Sequence, residues 1–150
     1  VHRWLSITVC ALSVALVGAG APFPSNTPSA VVFTLVPSGS ASLESAARIA
    51  AALSVRIGAN GTVAVKSAPG EIKQADFLTT ALKMGVNYYV SGFVAPFGSG
   101  YSVALQLVST QSGASVWSGT ATLSGTDDVG DAADVIGKVI TQRANVGYGP

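Results

Sequence analysis

Four aspartates within eight residues, Asp127, Asp128, Asp131 and Asp134, form the one acidic cluster of this 150-residue chain and the group best placed by type to hold a hard cation. A calcium loop places oxygen ligands at alternate positions and closes with a bidentate glutamate, and this spacing has neither. It suits the start of a helix instead. Asp127 or Asp128 would cap it, Asp131 would fall in its first turn, and the positive end of the helix dipole favours carboxylates there. No metal site is expected.

Nucleophilic catalysis finds even less to work with. The single histidine, His2, and the single cysteine, Cys10, both lie in the first ten residues. Beyond that segment the abundant serines have no histidine to form a Ser-His-Asp device. A serine-lysine pair would need Lys66, Lys73, Lys83 or Lys138 buried beside a serine, and all four sit where the pattern reads as exposed or as a strand end. The glycines at 18, 20, 58, 61, 98, 100 and 113 complete neither a phosphate-binding loop nor a dinucleotide fingerprint between a strand and a helix, so they read as turns, with Gly98-Ser99-Gly100 at a hairpin tip. Asn60-Gly61-Thr62 matches a glycosylation sequon and is likewise read as a turn. The expectation is a protein without catalytic residues and without a cofactor.

Composition points the same way. Charged residues make up 10% of the chain, against roughly 25% in an average soluble protein. Residues 1–19 read as a signal peptide: His2 and Arg3 open it, the stretch from Trp4 to Val17 carries no charge, and Val17-Gly18-Ala19 supplies the small residues of a cleavage site. The alternative is an uncleaved segment that anchors the chain in the membrane, its apolar stretch being near the lower limit for a span. Loss of Arg3 leaves seven basic against seven acidic side chains. A neutral domain with no basic cluster lacks what phosphate neutralisation requires, so nucleic acid is excluded as a partner. With no cysteine pair there is no disulfide framework, and stability must come from one packed core, for which roughly 120 residues suffice.

The elements that follow are those of an α/β chain. Residues 20–30, with Pro22, Pro24 and Pro28, read as an extended linker, and residues 31–144 as the folded domain. The apolar run over 31–36 predicts a strand covered on both faces. Leu43, Ala46, Ala47, Ala50, Leu53 and Ile57 recur at helical spacing, with Glu44, Arg48 and Arg56 opposite. A short strand over 62–66 leads to a second helix over 71–84, whose wide apolar arc suggests burial on more than one side, with Phe77 and Met84 packed against a neighbouring element or a partner. Three alternating runs, 86–94, 101–108 and 115–123, predict an antiparallel meander. A third helix over 126–144 would turn Ala132, Val135, Ile136, Val139 and Ile140 inward, and residues 145–150 would form a flexible tail. The order β-α-β-α-β-β-β-α predicts a single mixed sheet with helices packed on it.

Aromatic residues concentrate on the meander. Alternation sends Tyr89, Ser91 and Phe93 to one face and Tyr88, Val90, Gly92 and Val94 to the other. Phe97 and Tyr101 near the hairpin tip, together with Phe77 and Met84 on the second helix, are the candidate partner-binding residues.

Those same residues carry a resemblance. Ala75-Asp76 in a helix, Gly85-Val86-Asn87-Tyr88-Tyr89-Val90-Ser91-Gly92 on a strand, Tyr101-Ser102-Val103 with Leu105 and Leu107 on the next, Thr110-Gln111-Ser112-Gly113 at the turn and Val116-Trp117-Ser118 beyond it make up the pattern. It resembles the amino-terminal domain of the translocation protein TolB. Similar domains occur in curli-secretion proteins, flagellar outer-membrane lipoproteins, penicillin-binding-protein activators and extracytoplasmic parts of some bacterial cyclases. The resemblance implies an exported, non-enzymatic domain of a bacterial envelope, periplasmic or otherwise outside the cytoplasm, that works by docking to envelope protein partners or by assembly. An extracytoplasmic ligand-sensing or accessory module is the alternative.

Overall fold

The computed structural model describes residues 27–145; the leader, most of the proline-rich linker and residues 146–150 of the tail lie outside them. In chain order the elements are β1 (Ser29–Val32), β2 (Val36–Pro37), α1 (Leu43–Gly58), β3 (Ala64–Lys66), a 3-10 turn (Gln74–Asp76), α2 (Phe77–Met84), β4 (Tyr88–Phe97), β5 (Gly100–Ser109), β6 (Ser115–Leu123) and α3 (Gly130–Asn145). They build one mixed sheet in the order β3-β1-β4-β5-β6, with β2 also alongside β4. β1 runs parallel to both β3 and β4, and β4, β5 and β6 form the expected antiparallel meander.

The strand expected over 31–36 is broken in two. Val32 pairs with Val90 and Val36 with Phe93, so four steps on one side match three on the other. The extra residue reverses the alternation. Phe33 is buried with Val31 on one face of the sheet, whereas Leu35 is buried with Val32 on the opposite face. Ser29 and Ala30, which the proline pattern assigns to the linker, belong to β1. There the Ser29 backbone N–H and hydroxyl both donate to Asn87 Oδ1, at 2.9 and 3.1 Å.

Two apolar clusters lie on the two faces of the sheet. On one, α1 and α3 cover Ala30, Val32, Tyr88, Val90, Val94, Val103, Leu105 and Leu107. On the other, the shorter α2 covers Val31, Phe33, Tyr89 and Val108. Phe33 stacks on Phe77 with ring centroids 4.5 Å apart, and Tyr89 tilts against both rings.

Three helical expectations shift. In α1 the inward residues are Ala46, Ile49, Ala50, Leu53 and Ile57, while Leu43 and Ala47 face outward. Helix α2 begins at Phe77 rather than residue 71. The chain from Pro69 stays irregular until the 3-10 turn, and Ala75 is exposed. Helix α3 begins at Gly130, and neither Asp127 nor Asp128 caps it: the first helical bond runs from the Ala133 N–H to the Val129 carbonyl. Asp131 does sit in its first turn, but Val135 faces solvent where Ala133 was needed inside.

Candidate docking surface

The hairpin between β4 and β5 closes with a two-residue turn, Phe97 pairing with Gly100. Gly98 takes φ +57°, the conformation that the first central position of such a turn demands. This turn sets the register of β4 against β5. Directly paired residues share a face, so three rows cross the strands on the side that carries α2: Ser91 with Gln106 and Ser118, Phe93 with Ala104 and Thr120, and Ala95 with Ser102 and Thr122.

Helix α2 has only eight residues and shields the start of β4. Exposure therefore changes along that strand. Tyr89 and Ser91 are buried, Phe93 is 46% exposed and Phe97 is 61% exposed. Ser91 is held by Gln106, whose Nε2 donates to its hydroxyl at 3.0 Å. Beyond this pair, Ala104, Ser118, Thr120 and Thr122 all face solvent. The result is an open sheet face of small and hydroxyl-bearing side chains with two phenylalanines on it and no charge. Large apolar side chains left exposed on one face are the usual mark of a contact surface.

Of the four residues singled out from the sequence, the structure leaves one on this face. Phe97 is there. Tyr101 is not: it pairs with Pro96 and points to the α1 side, where its Oη lies 3.0 Å from Ser45 Oγ. Phe77 is buried in the stack with Phe33 and offers no surface, and Met84 is partly buried against the same cluster. The residues that sequence reasoning passed over are Phe93, Ala104, Thr120 and Thr122. The signal for them was available, since a two-residue turn at Gly98-Ser99 fixes Phe93 opposite Ala104 by simple counting.

Several other polar groups tie elements of the frame together. Lys66 Nζ donates to the Met84 carbonyl at 2.7 Å, satisfying the end of α2 and tying it to β3. Arg56 pairs with Asp134 at 3.2 Å, linking α1 to α3, and this hydrogen-bonded partner raises the guanidinium pKa. Asp128 accepts from both the backbone N–H and the hydroxyl of Ser124, each at 2.9 Å, and these bonds hold its carboxyl below the ordinary value. Burial pushes the Tyr89 phenol up. Asn60 Oδ1 accepts from the Thr62 backbone and hydroxyl, the closed turn expected of that tripeptide. An open cleft of about 650 Å³ runs beside α1, lined by Arg48, Ala52, Val55, Arg56 and Asp127. Among the described residues, no three His, Cys, Asp or Glu side chains converge as metal ligands, and no helix is long and apolar enough to cross a membrane.

No protein-family model matches the chain, and no curated protein matches it. Solved structures do. The PelC dodecamer from Paraburkholderia phytofirmans is similar at 24% identity with a TM-score of 0.54, over 77% of this chain and 85% of that one. TolB from Acinetobacter baumannii is similar at 13% identity and a TM-score of 0.53, over 81% of this chain and 29% of that one. Lipoprotein GNA1162 from Neisseria meningitidis is similar at 18% identity and a TM-score of 0.52, over 78% of this chain and 96% of that one. At these identities the likeness concerns the fold: the domain has the TolB amino-terminal-domain-like α/β fold that the residue pattern resembles.

Proposed function

We propose that this chain is an exported, non-enzymatic docking domain of a bacterial envelope, and that it meets a partner protein through the open sheet face around Phe93 and Phe97. The observation that carries this reading is the gradient along β4, from a buried Tyr89 to a Phe97 that is 61% exposed, on a face with no charged residue. An uncharged surface with aromatic anchors suits a protein interface, where charges are depleted and aromatic side chains enriched at the centre. The leader read over residues 1–19 supports export. The similar folds support the setting: one carries the name lipoprotein and another is described as a dodecamer.

The test is capture of partners from envelope extract with the native chain, with Phe93→Ser plus Phe97→Ser, and with Val55→Ser on the opposite side of the molecule. The reading predicts a specific protein that the double variant loses and the Val55 variant keeps. Equal capture by all three, or no protein partner together with a thermal shift caused by a small metabolite, would overturn it.

A further inference from the structure

Strand β6 ends the sheet, and no element of the described chain pairs with its outer side. It is nine residues long, Ser-Val-Trp-Ser-Gly-Thr-Ala-Thr-Leu, with no charge and no proline. The opposite edge, β3, has three residues and ends in a lysine. Proteins ordinarily keep a long edge from pairing with charges, proline or a covering segment, and among the described residues β6 has none of these. The one backbone group of β6 that a side chain satisfies, among the described residues, is the Trp117 carbonyl, which accepts from Ser115 Oγ at 3.1 Å. The irregularity opposite Leu107 and Val108 falls at the start of the strand and leaves the run from Trp117 onward regular.

We propose that β6 is a self-association edge: two copies of this chain pair antiparallel through β6 about a two-fold axis at Gly119. The strand is complementary to itself in that register. Trp117 falls opposite Ala121 of the second copy, a large side chain beside a small one, and Ser118 falls opposite Thr120, a hydroxyl pair of the kind that stabilises adjacent strands. Trp117 lies over its own Gly119, where an added Cβ would stand 2.6 Å from the indole Cζ2. At the axis the two glycines are neighbours, so the two indoles meet across it as an aromatic pair. Charge selects the direction. Asp127 and Asp128 lie just beyond the Ser124-Gly125-Thr126 segment that follows β6, and antiparallel pairing carries the two acidic ends apart, each toward the uncharged Gln111-Ser112-Gly113 turn of the other copy, whereas parallel pairing would set them side by side. A charged strand from another protein finds no counter-charge on β6. The axis is perpendicular to the sheet, so the open faces of both copies lie on the same side and form one continuous surface with Phe93 and Phe97 still uncovered. The inference goes beyond the docking reading and does not depend on it.

Sedimentation velocity of the full chain from about 1 μM to about 1 mM tests this, the range being set by the weak affinity expected of a small interface. The native chain should pass from monomer to dimer. Thr120→Lys and Ser118→Lys, both at exposed positions, should each move the midpoint upward at least about tenfold by placing like charges across the axis, with circular dichroism unchanged. Phe97→Ser should leave the dimer intact. A native chain that stays monomeric throughout, association that ignores both lysine variants, or a dimer abolished by Phe97→Ser would each overturn the proposal. None of these three outcomes bears on capture of a different protein.

Discussion

The Tyr101 hydroxyl lies 3.0 Å from Ser45 Oγ, and Ser45 in turn accepts from the hydroxyl of Ser42, the residue that caps α1. This short chain of hydroxyls ties the second strand of the hairpin to the first turn of a helix more than fifty residues earlier. Tyr101 is therefore a structural tyrosine. Tyr101→Phe should lower stability by about 0.5–1.5 kcal/mol, the net worth of one hydrogen bond, and leave partner capture unchanged. Urea unfolding monitored by circular dichroism checks the first part and the capture assay checks the second.

Phe77 and Phe97 make a contrasting pair. Phe77 is buried in the stack on Phe33, so Phe77→Ala should cost about 3–5 kcal/mol and leave a cavity. Phe97 is 61% exposed, and Phe97→Ala should change stability by no more than about 0.5 kcal/mol. Chemical denaturation of the two variants side by side decides the matter. Comparable losses would mean that the hairpin tip belongs to the core.

Gly92 faces the β5 backbone at close range: a Cβ there would come 2.0 Å from the Ala104 carbonyl oxygen. Backbone cannot swing aside as a side chain does. Gly92→Ala should cost on the order of 3 kcal/mol or more and disturb the rows that form the open face. Gly137 in α3 is the control, because nothing lies within 4 Å of an added Cβ. Gly137→Ala should stabilise by about 0.5–1 kcal/mol through helix propensity. Thermal midpoints moving in opposite directions would bear this out.

Two groups with shifted pKa values give the fold a pH dependence. Burial raises the Tyr89 phenol above its ordinary value of 10.0, so the folded state holds that proton more tightly than the unfolded chain. Its contribution is complete below pH 10 and is lost as pH rises through the folded value. Asp128 behaves in the opposite sense. Its bonds from Ser124 lower the carboxyl below 3.8, so its contribution is complete above that pH and is lost as pH falls through the folded value. Unfolding measured across pH should show Tyr89→Phe flattening the alkaline fall and Asp128→Ala flattening the acid one.

Much of this architecture is legible in the chain. The meander follows from strict alternation and a glycine turn, and the two faces of β4 are those that counting assigns, Tyr88, Val90 and Val94 toward α1 and α3, and Tyr89 toward α2. The errors have physical causes. Helix α1 is rich in alanine, so Leu43, Ala47, Ala51 and Val55 form a second apolar stripe at the same spacing as the buried one, and periodicity cannot choose between them. Phe77 looked like surplus apolar surface on a long helix. It is instead at the start of a short one, where it is buried against Phe33, which alternation places with Val31 on the α2 side of the sheet. The aspartates before α3 looked like caps, but Asp128 closes a loop onto Ser124, a competing local bond that such side chains readily make. The docking face was half visible. Phe97 could be named, while Phe93 needed the register and the knowledge that α2 stops short of it.

The most direct measurement places a photo-reactive phenylalanine analogue at position 97 or position 93, and separately at position 55, in the chain as it is exported, followed by mass spectrometry of the cross-linked products. The open-face account predicts a defined protein adduct from positions 93 and 97 and none from position 55. Adducts from position 55 alone, or an absence of protein adducts at all three, would contradict it.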